Sequence, residues 1–273
     1  MSVYIIAELG INHQGSLETA CRLMEAAKEA GCEAVKFQKR TVEAVYTEEE
    51  LARPRESIYG TTNGDLKRGL EFSASEYERI DRECGRLNLD WSASCWDRES
   101  VETIAQFQPP WLKIPSALIT DLELLRAYRA TGIPLIMSTG MSSWEEIDQA
   151  VEAVRGVPLT LLHCHSSYPS PLEEINLACI QSFKTRYPGC RVGYSSHTVS
   201  PWPCLMAAVY GAEVIEFHLT LDRSMWGSDQ AASLEPAAAK ELVEEIRTWE
   251  RCKGDGEKRV YPSEEVVKAK LRR

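Results

Sequence analysis

Short runs rich in β-branched and aromatic residues alternate eight times with helix-patterned stretches along this chain, and that alternation leaves few folds open. The strand-like runs are 3–8, 34–38, 89–94, 110–114, 134–138, 159–163, 191–195 and 213–218. Helical patterns fill 16–31, 73–87, 97–107, 121–131, 143–155, 174–186, 201–211 and 236–252. Strictly alternating units call for a parallel sheet covered by helices. Eight of them in 273 residues predict an α/β chain folded as a single-domain (β/α)8 TIM barrel over 1–252, rather than an open doubly wound sheet. Neither GxGxxG nor GxxxxGK[ST] occurs, which argues against the common nucleotide-binding sheets. The charged segment 253–273 is expected to be a tail or a short surface helix. One stretch interrupts the alternation: 40–72 is polar, holds Pro54, Gly60, Asn63 and Gly64, and reads as a long loop excursion of the kind that often carries function.

Charge narrows the partners. With 41 acidic against 31 basic side chains, the net charge is −10, and a broad nucleic-acid footprint needs the opposite. No apolar run approaches the ~18 residues of a membrane helix. Met1-Ser2-Val3-Tyr4 offers no basic n-region, so a cytoplasmic protein without a signal peptide is expected. Nine cysteines, an odd number with no CxxC spacing, are expected to be reduced thiols rather than a disulfide framework or a zinc site.

In a barrel of this type the chemistry sits at the C-terminal ends of the strands. Those positions carry Glu8, Asn12 and His13; Lys36 and Gln38; Ser92 and Ser94; Lys113 and Ser116; Ser138 and Thr139; His163, His165, Ser166, Ser167 and Tyr168; Ser195, Ser196 and His197; and Glu216 and His218, with Asp222 and Asp229 beyond. A single lysine or serine at a strand end is ordinarily a rim residue or a cap. Lys36 and Lys113 differ because each lies within an apolar strand, where an unpaired ammonium would be costly. Two such cations among hydroxyls make an anion site. His197 and His218 end neighbouring strands and could share one divalent ion, although a hydrogen-bonded core histidine is the commoner outcome for such a residue. Glu8, Glu216 and Asp229 could help to complete an open coordination shell. His163 and His165 fall on one face of their strand by the period of two and are expected to line the site rather than to bind metal.

Several motifs, in register over nearly the whole chain, carry a resemblance. They are Glu8-Leu9-Gly10-Ile11-Asn12-His13-Gln14-Gly15-Ser16, Ala34-Val35-Lys36-Phe37-Gln38, Leu112-Lys113-Ile114-Pro115-Ser116, Met137-Ser138-Thr139-Gly140-Met141, Leu161-Leu162-His163-Cys164, Tyr168-Pro169, Gly193-Tyr194-Ser195-Ser196-His197-Thr198 and Asp229-Gln230-Ala231-Ala232-Ser233-Leu234-Glu235-Pro236. In order and spacing they resemble the sialic acid synthase (N-acetylneuraminate synthase) family. That resemblance implies an enzyme, a transferase condensing phosphoenolpyruvate with an aldose such as N-acetylmannosamine or its 6-phosphate, to give a 3-deoxy-2-keto sugar acid and phosphate.

The resemblance also implies roles. Glu8 matches the family's acid/base glutamate. Lys36, Ser94, Lys113, Ser116, Ser138, Ser166 and Ser195 match its phosphoenolpyruvate contacts. Gln38, Tyr168, Glu216 and Asp229 match its sugar contacts. His197 and His218 match its ligands for a divalent metal ion, Mn²⁺ or Mg²⁺. Departures occur at Ser196, where members commonly carry Asp, at Phe217, where a basic residue is common, and around His165 and Ser166. Full-length members continue into an antifreeze-like domain that supplies an arginine to the partner subunit's sugar site. The chain is read as a barrel-only form, in which that arginine is replaced from within the chain or from a neighbouring subunit, or the substrate lacks the group it would contact; Arg53, Arg55, Lys67 and Arg68 of the excursion are the best internal candidates. A homo-oligomer is left open, as are three further readings: the same chemistry on another aldose, a metal-dependent hydrolase, and a non-catalytic sugar-phosphate-binding barrel.

Overall fold

A computed structural model describes residues 2–272, and in it eight parallel strands close into a barrel. They are β1 (Tyr4–Gly10), β2 (Ala34–Lys39), β3 (Asp90–Cys95), β4 (Leu112–Ile114), β5 (Leu135–Ser138), β6 (Leu159–Cys164), β7 (Arg191–Ser196) and β8 (Val214–His218). Each strand pairs with its neighbours in the chain, and β1 closes the ring onto β8 with Tyr4 opposite Val214 and Glu8 opposite His218. The outer helices are α1 (Leu17–Ala30), α2 (Ala74–Leu87), α3 (Arg98–Ala105), α4 (Leu122–Ala130), α5 (Trp144–Ala153), α6 (Cys179–Arg186), α7 (Trp202–Val209) and α8 (Pro236–Cys252). A further exposed helix spans Pro262–Leu271.

Local sequence sets these boundaries. Ser16 caps α1 by accepting from the Thr19 N–H, and Gly31 ends it in the left-handed region at φ 89°. Ser143 and Glu146 form a reciprocal capping box at α5. The expected helix over 174–186 begins later, at Cys179. A 3₁₀ turn at Leu172–Glu174 precedes it, and Asn176 takes a positive φ of 48° between the two, which an α-helix does not tolerate.

Strand alternation divides the core. Ile5, Ala7, Val35, Phe37, Leu161 and Ile215 face the helices and belong to one large apolar layer. Ile6, Ala34, Ile136, Leu162 and Val214 point into the barrel and form a separate plug with Trp111. Above that plug the same alternation brings Glu8, Lys36, Lys113, Ser138, Ser195 and Glu216 toward the axis, at the C-terminal mouth. Packing therefore fills the lower barrel and leaves the polar upper layer to hold a ligand.

The segment 40–72 is structured. It holds two short helices, Val42–Val45 and Glu48–Ala52, an antiparallel hairpin of Pro54–Ser57 with Gly60–Thr62, and a helix at Asn63–Leu70. All nine cysteines are free thiols. Among the described residues no helix is long and apolar enough to cross a membrane.

Candidate active site

Register explains which side chains meet at the mouth. Glu8 lies opposite both Lys36 and His218, Ser94 opposite Gln38 and Lys113, and Ser195 opposite Glu216. One cavity is lined by Glu8, Lys36, Gln38, Ser94, Lys113, Ser116, Ser138, Ser166, Tyr168, Ser195, His197, Glu216 and His218. Asp229 stands just behind, with Oδ2 3.7 Å from His218 Nδ1.

Both lysines are buried, at 4 % and 2 % exposure, and both are compensated. Lys36 Nζ is 2.7 Å from Glu8 Oε2, 3.9 Å from Glu216 Oε1, and donates to Ser94 Oγ at 2.8 Å. Lys113 Nζ is 3.6 Å from Glu216 Oε1 and donates to Ser138 Oγ at 2.6 Å. Ser195 Oγ donates to Glu216 Oε1 at 2.9 Å, while Glu216 Oε2 is buried without a hydrogen-bond partner.

These contacts set the charge states. Burial works against the charge on Lys36, but Glu216 and Glu8 outweigh it and raise its pKa. Burial lowers that of Lys113; Glu216 opposes the fall and Lys36 adds to it. Burial alone would raise Glu216, yet Lys113 and Lys36 hold its carboxyl below the usual carboxylate range. The mouth thus sets two lysines against two acidic side chains, each within reach of an opposite partner.

The two histidines stand at the ends of neighbouring strands, β7 and β8. Burial, with His218 alongside, takes His197 down to about 3. Its Nδ1 lies 2.6 Å from the His165 carbonyl oxygen and must donate, so Nε2 keeps its lone pair, which faces the Tyr168 hydroxyl at 2.9 Å. The His197 and His218 rings are 5.3 Å apart, and His218 Nδ1 is buried with no hydrogen-bond partner. Among the described residues no three His, Cys, Asp or Glu groups converge as a ready metal cluster. The donor set fits an ion that takes two imidazoles and keeps open positions.

Alternation also corrects one expectation. On β6 the inward positions are Leu162 and Cys164, so His163 points at the helices. Its Nε2 bonds the Ile175 carbonyl at 2.7 Å, and its ring packs beside Phe183 and Tyr194. His165 pairs with Glu174 at 3.0 Å on the rim, and only its carbonyl reaches toward the site, through His197. None of Arg53, Arg55, Lys67 and Arg68 lines the cavity. They are engaged at the surface by Glu49, Asn63, the Tyr46 ring and Glu43.

Strand-end reasoning missed Trp96, Pro115, Ala117 and Met141, which also line the mouth. Trp96 was within reach of it, since it lies two residues beyond Ser94 and so on the same side. Gly140 was missed as well. A Cβ there would stand 2.1 Å from Ser166 Oγ and 3.0 Å from Ser116 Oγ, so only glycine lets these hydroxyls close around the loop.

Comparison with known proteins adds the following. The profile described as NeuB family matches residues 23–258. The N-acetylneuraminate-9-phosphate synthase of Drosophila melanogaster is 37 % identical over 272 residues, covering 98 % of this chain and 72 % of that protein. The N,N'-diacetyllegionaminic acid synthase of Legionella pneumophila is 34 % identical over 283 residues, covering 100 % and 79 %. The solved N-acetylneuraminic acid (sialic acid) synthetase from Leptospira borgpetersenii, crystallised in complex with citrate, superposes with a TM-score of 0.87 at 31 % identity, over 100 % of this chain and 93 % of that one.

Proposed function

Because the chain belongs to the NeuB family, the sialic acid and related nonulosonate synthases, we propose that it condenses phosphoenolpyruvate with an N-acetylmannosamine-like aldose to give a nine-carbon 3-deoxy-2-keto acid and phosphate. The observation that carries this reading is the pair Lys36 and Lys113, two buried ammoniums held around Glu216 with a serine on each. A hydrolase would need the histidines but not this second cation. A vestigial binding barrel would not need to keep a buried acid, two cations and two imidazoles together.

Phosphoenolpyruvate lies along Lys36, Ser94, Lys113, Ser116, Ser138, Ser166 and Ser195, where ammoniums and hydroxyls bind its phosphate and carboxylate and fix its orientation. Gln38, Tyr168 and Glu216 face the aldose, with Asp229 behind them. Carbon 3 of the enol attacks the aldehyde carbon, and the aldehyde oxygen takes a proton to become a hydroxyl. Water adds at carbon 2, and the C2–O bond to phosphate breaks, leaving the keto acid and inorganic phosphate. Glu8, fixed between Lys36 and Gln38, is placed to move those protons.

A divalent ion, Mn²⁺ or Mg²⁺, on His197 and His218 would supply Lewis-acid polarisation of the aldehyde. The balance of the mouth favours such an ion. Two lysines against two acidic side chains leave little net positive charge for a polyanionic substrate, and a dication held by His197 and His218 would supply it.

Calorimetric titration of phosphoenolpyruvate into the parent, Lys36→Met and Lys113→Met tests the assignment. Charge-assisted hydrogen bonds are worth ~1.5–3 kcal/mol, so each variant is expected to bind about tenfold or more weakly. Parent-like binding by both would place the anion site elsewhere.

A further inference from the structure

Arg40 follows β2 directly, is only 8 % exposed, and lies behind the cavity rather than in its lining. Its guanidinium sits 4.4 Å over the Trp96 ring, and Trp96 does line the cavity. Nη2 donates to Gln38 Oε1, and Nη1 is 3.5 Å from Glu71 Oε1. A guanidinium has donors and no acceptor, so the Gln38 oxygen must face it. The amide nitrogen is thereby turned the other way, onto Glu8 Oε1 at 3.0 Å. The second Glu8 oxygen takes Lys36 at 2.7 Å. Glu8 Oε1 thus takes the Gln38 amide and Oε2 the Lys36 ion pair, and the first of these contacts is dictated by an arginine that touches neither Glu8 nor the cavity.

A purely structural role would make Arg40 the anchor of segment 40–72 through Glu71. That anchor exists without it. The Thr41 N–H and hydroxyl bond Asp97 at 2.7 and 3.0 Å, Lys39 pairs with Glu71 at 3.4 Å, and the Arg40 backbone N–H itself donates to Glu71 at 3.0 Å. A side chain with five donors, buried with its Nε unpaired, is a costly way to repeat that contact.

We propose that Arg40 is a positioning residue for the reaction: it locks Gln38 in the amide orientation that holds Glu8, and it backs Trp96 as a wall of the cavity. This rests on the condensation reading above. If it holds, losing the guanidinium frees Gln38 to rotate. The proton-handling carboxylate and the aldose are then both loosened, while the Lys36–Ser94 and Lys113–Ser138 contacts of the anion site remain.

The test compares the parent, Arg40→Met and Arg40→Lys. Steady-state kinetics are run against phosphoenolpyruvate and an aldose panel. The Gln38 side-chain amide is followed by NMR in the substrate-free protein, with Gln38→Ala giving the assignment. Arg40→Met is expected to lower kcat about tenfold or more and to raise the aldose KM, since small misplacements cost rates of this order, with the phosphoenolpyruvate KM within about twofold of the parent. Its amide resonance moves to the position of a free glutamine side chain. Arg40→Lys, which keeps a donor for Gln38 Oε1, recovers part of both effects. A folded Arg40→Met with parent kcat, parent KM values and an unmoved amide overturns the proposal. So does a proportional loss toward both substrates with the amide unmoved, which is what a scaffold role would give. If the parent turns over no aldose, the condensation reading falls, and the amide resonance still decides whether Arg40 sets Gln38.

Discussion

Lysine and serine at a strand end say little one at a time; what distinguishes this site is which of them share atoms. Lys36 and Lys113 both approach Glu216 Oε1, and Ser195 donates to the same oxygen. Those contacts follow from strand register, and the loop glycine Gly140 lets the adjoining hydroxyls in. Its N–H donates to Ser116 Oγ at 3.0 Å, and an added methyl would collide with Ser166 Oγ. Gly140→Ala is therefore expected to displace two of the proposed phosphoenolpyruvate contacts. Overpacking of this kind typically costs ~1–3 kcal/mol, so affinity falls about tenfold and the urea midpoint also drops. Calorimetry with unchanged affinity would show that the loop is not part of the anion site. At this scale most of the candidate site was legible, because strand-end position and the period of two do place Glu8, Lys36, Lys113 and Glu216 together. His163 was misread for a reason equally physical: the inward face of β6 is set by Leu162 and Cys164. Arg40 was invisible because its importance lies in what it does to Gln38, and no spacing rule carries that.

Among the elements, the barrel strands and helices fall within a few residues of the sequence reading, whereas segment 40–72 does not. Its helices are too short to show apolar periodicity. Their signatures lie instead in two reciprocal capping boxes, Thr47 with Glu50 and Thr62 with Asp65, visible as Thr-x-x-acid patterns. The segment docks on the mouth through Tyr59, whose hydroxyl donates to the Gln14 carbonyl. Glycines make room for that ring: a Cβ at Gly69 would lie 2.1 Å from Tyr59 Cγ, and one at Gly15 would meet Tyr59 Oη at 2.3 Å. Gly69→Ala is expected to push Tyr59 out of its seat. The expected loss is ~1–3 kcal/mol of stability in urea melts, with faster hydrogen exchange confined to 40–72 and the β1–α1 loop. Protection equal to the parent in that region would contradict the docking.

At the scale of the whole molecule, one buried imidazole ties stability to pH. His13 stacks on Phe72 at 4.2 Å, its Nδ1 accepts from the Gly15 N–H at 3.0 Å, and burial takes its pKa down to about 3. The unfolded chain, with an ordinary histidine pKa near ~6.5, binds a proton that the native chain refuses. The contribution is thus complete above pH ~6.5 and is lost as the pH falls toward 3, at up to ~1.4 kcal/mol per pH unit. His13→Gln keeps an acceptor for Gly15 and does not titrate, so its urea midpoint is expected to fall less steeply between pH 6.5 and 4 than the parent's. Parallel acid limbs would remove His13 from the linkage.

The barrel itself follows from eight alternating units, and its polar upper layer from the same strands whose lower halves pack Ile6, Ala34, Ile136, Leu162 and Val214. That layer is where two ammoniums, two carboxylates and two imidazoles meet, and condensation is the chemistry they support. The direct measurement is mass spectrometry of the products formed from phosphoenolpyruvate and a panel of aldoses, N-acetylmannosamine and its 6-phosphate included, in chelated enzyme with and without added Mn²⁺. A 3-deoxy-2-keto acid, formed with one inorganic phosphate and only when metal is restored, is the predicted result. Phosphate release without a carbon–carbon bonded product, or no consumption of phosphoenolpyruvate with any aldose and metal, would contradict it.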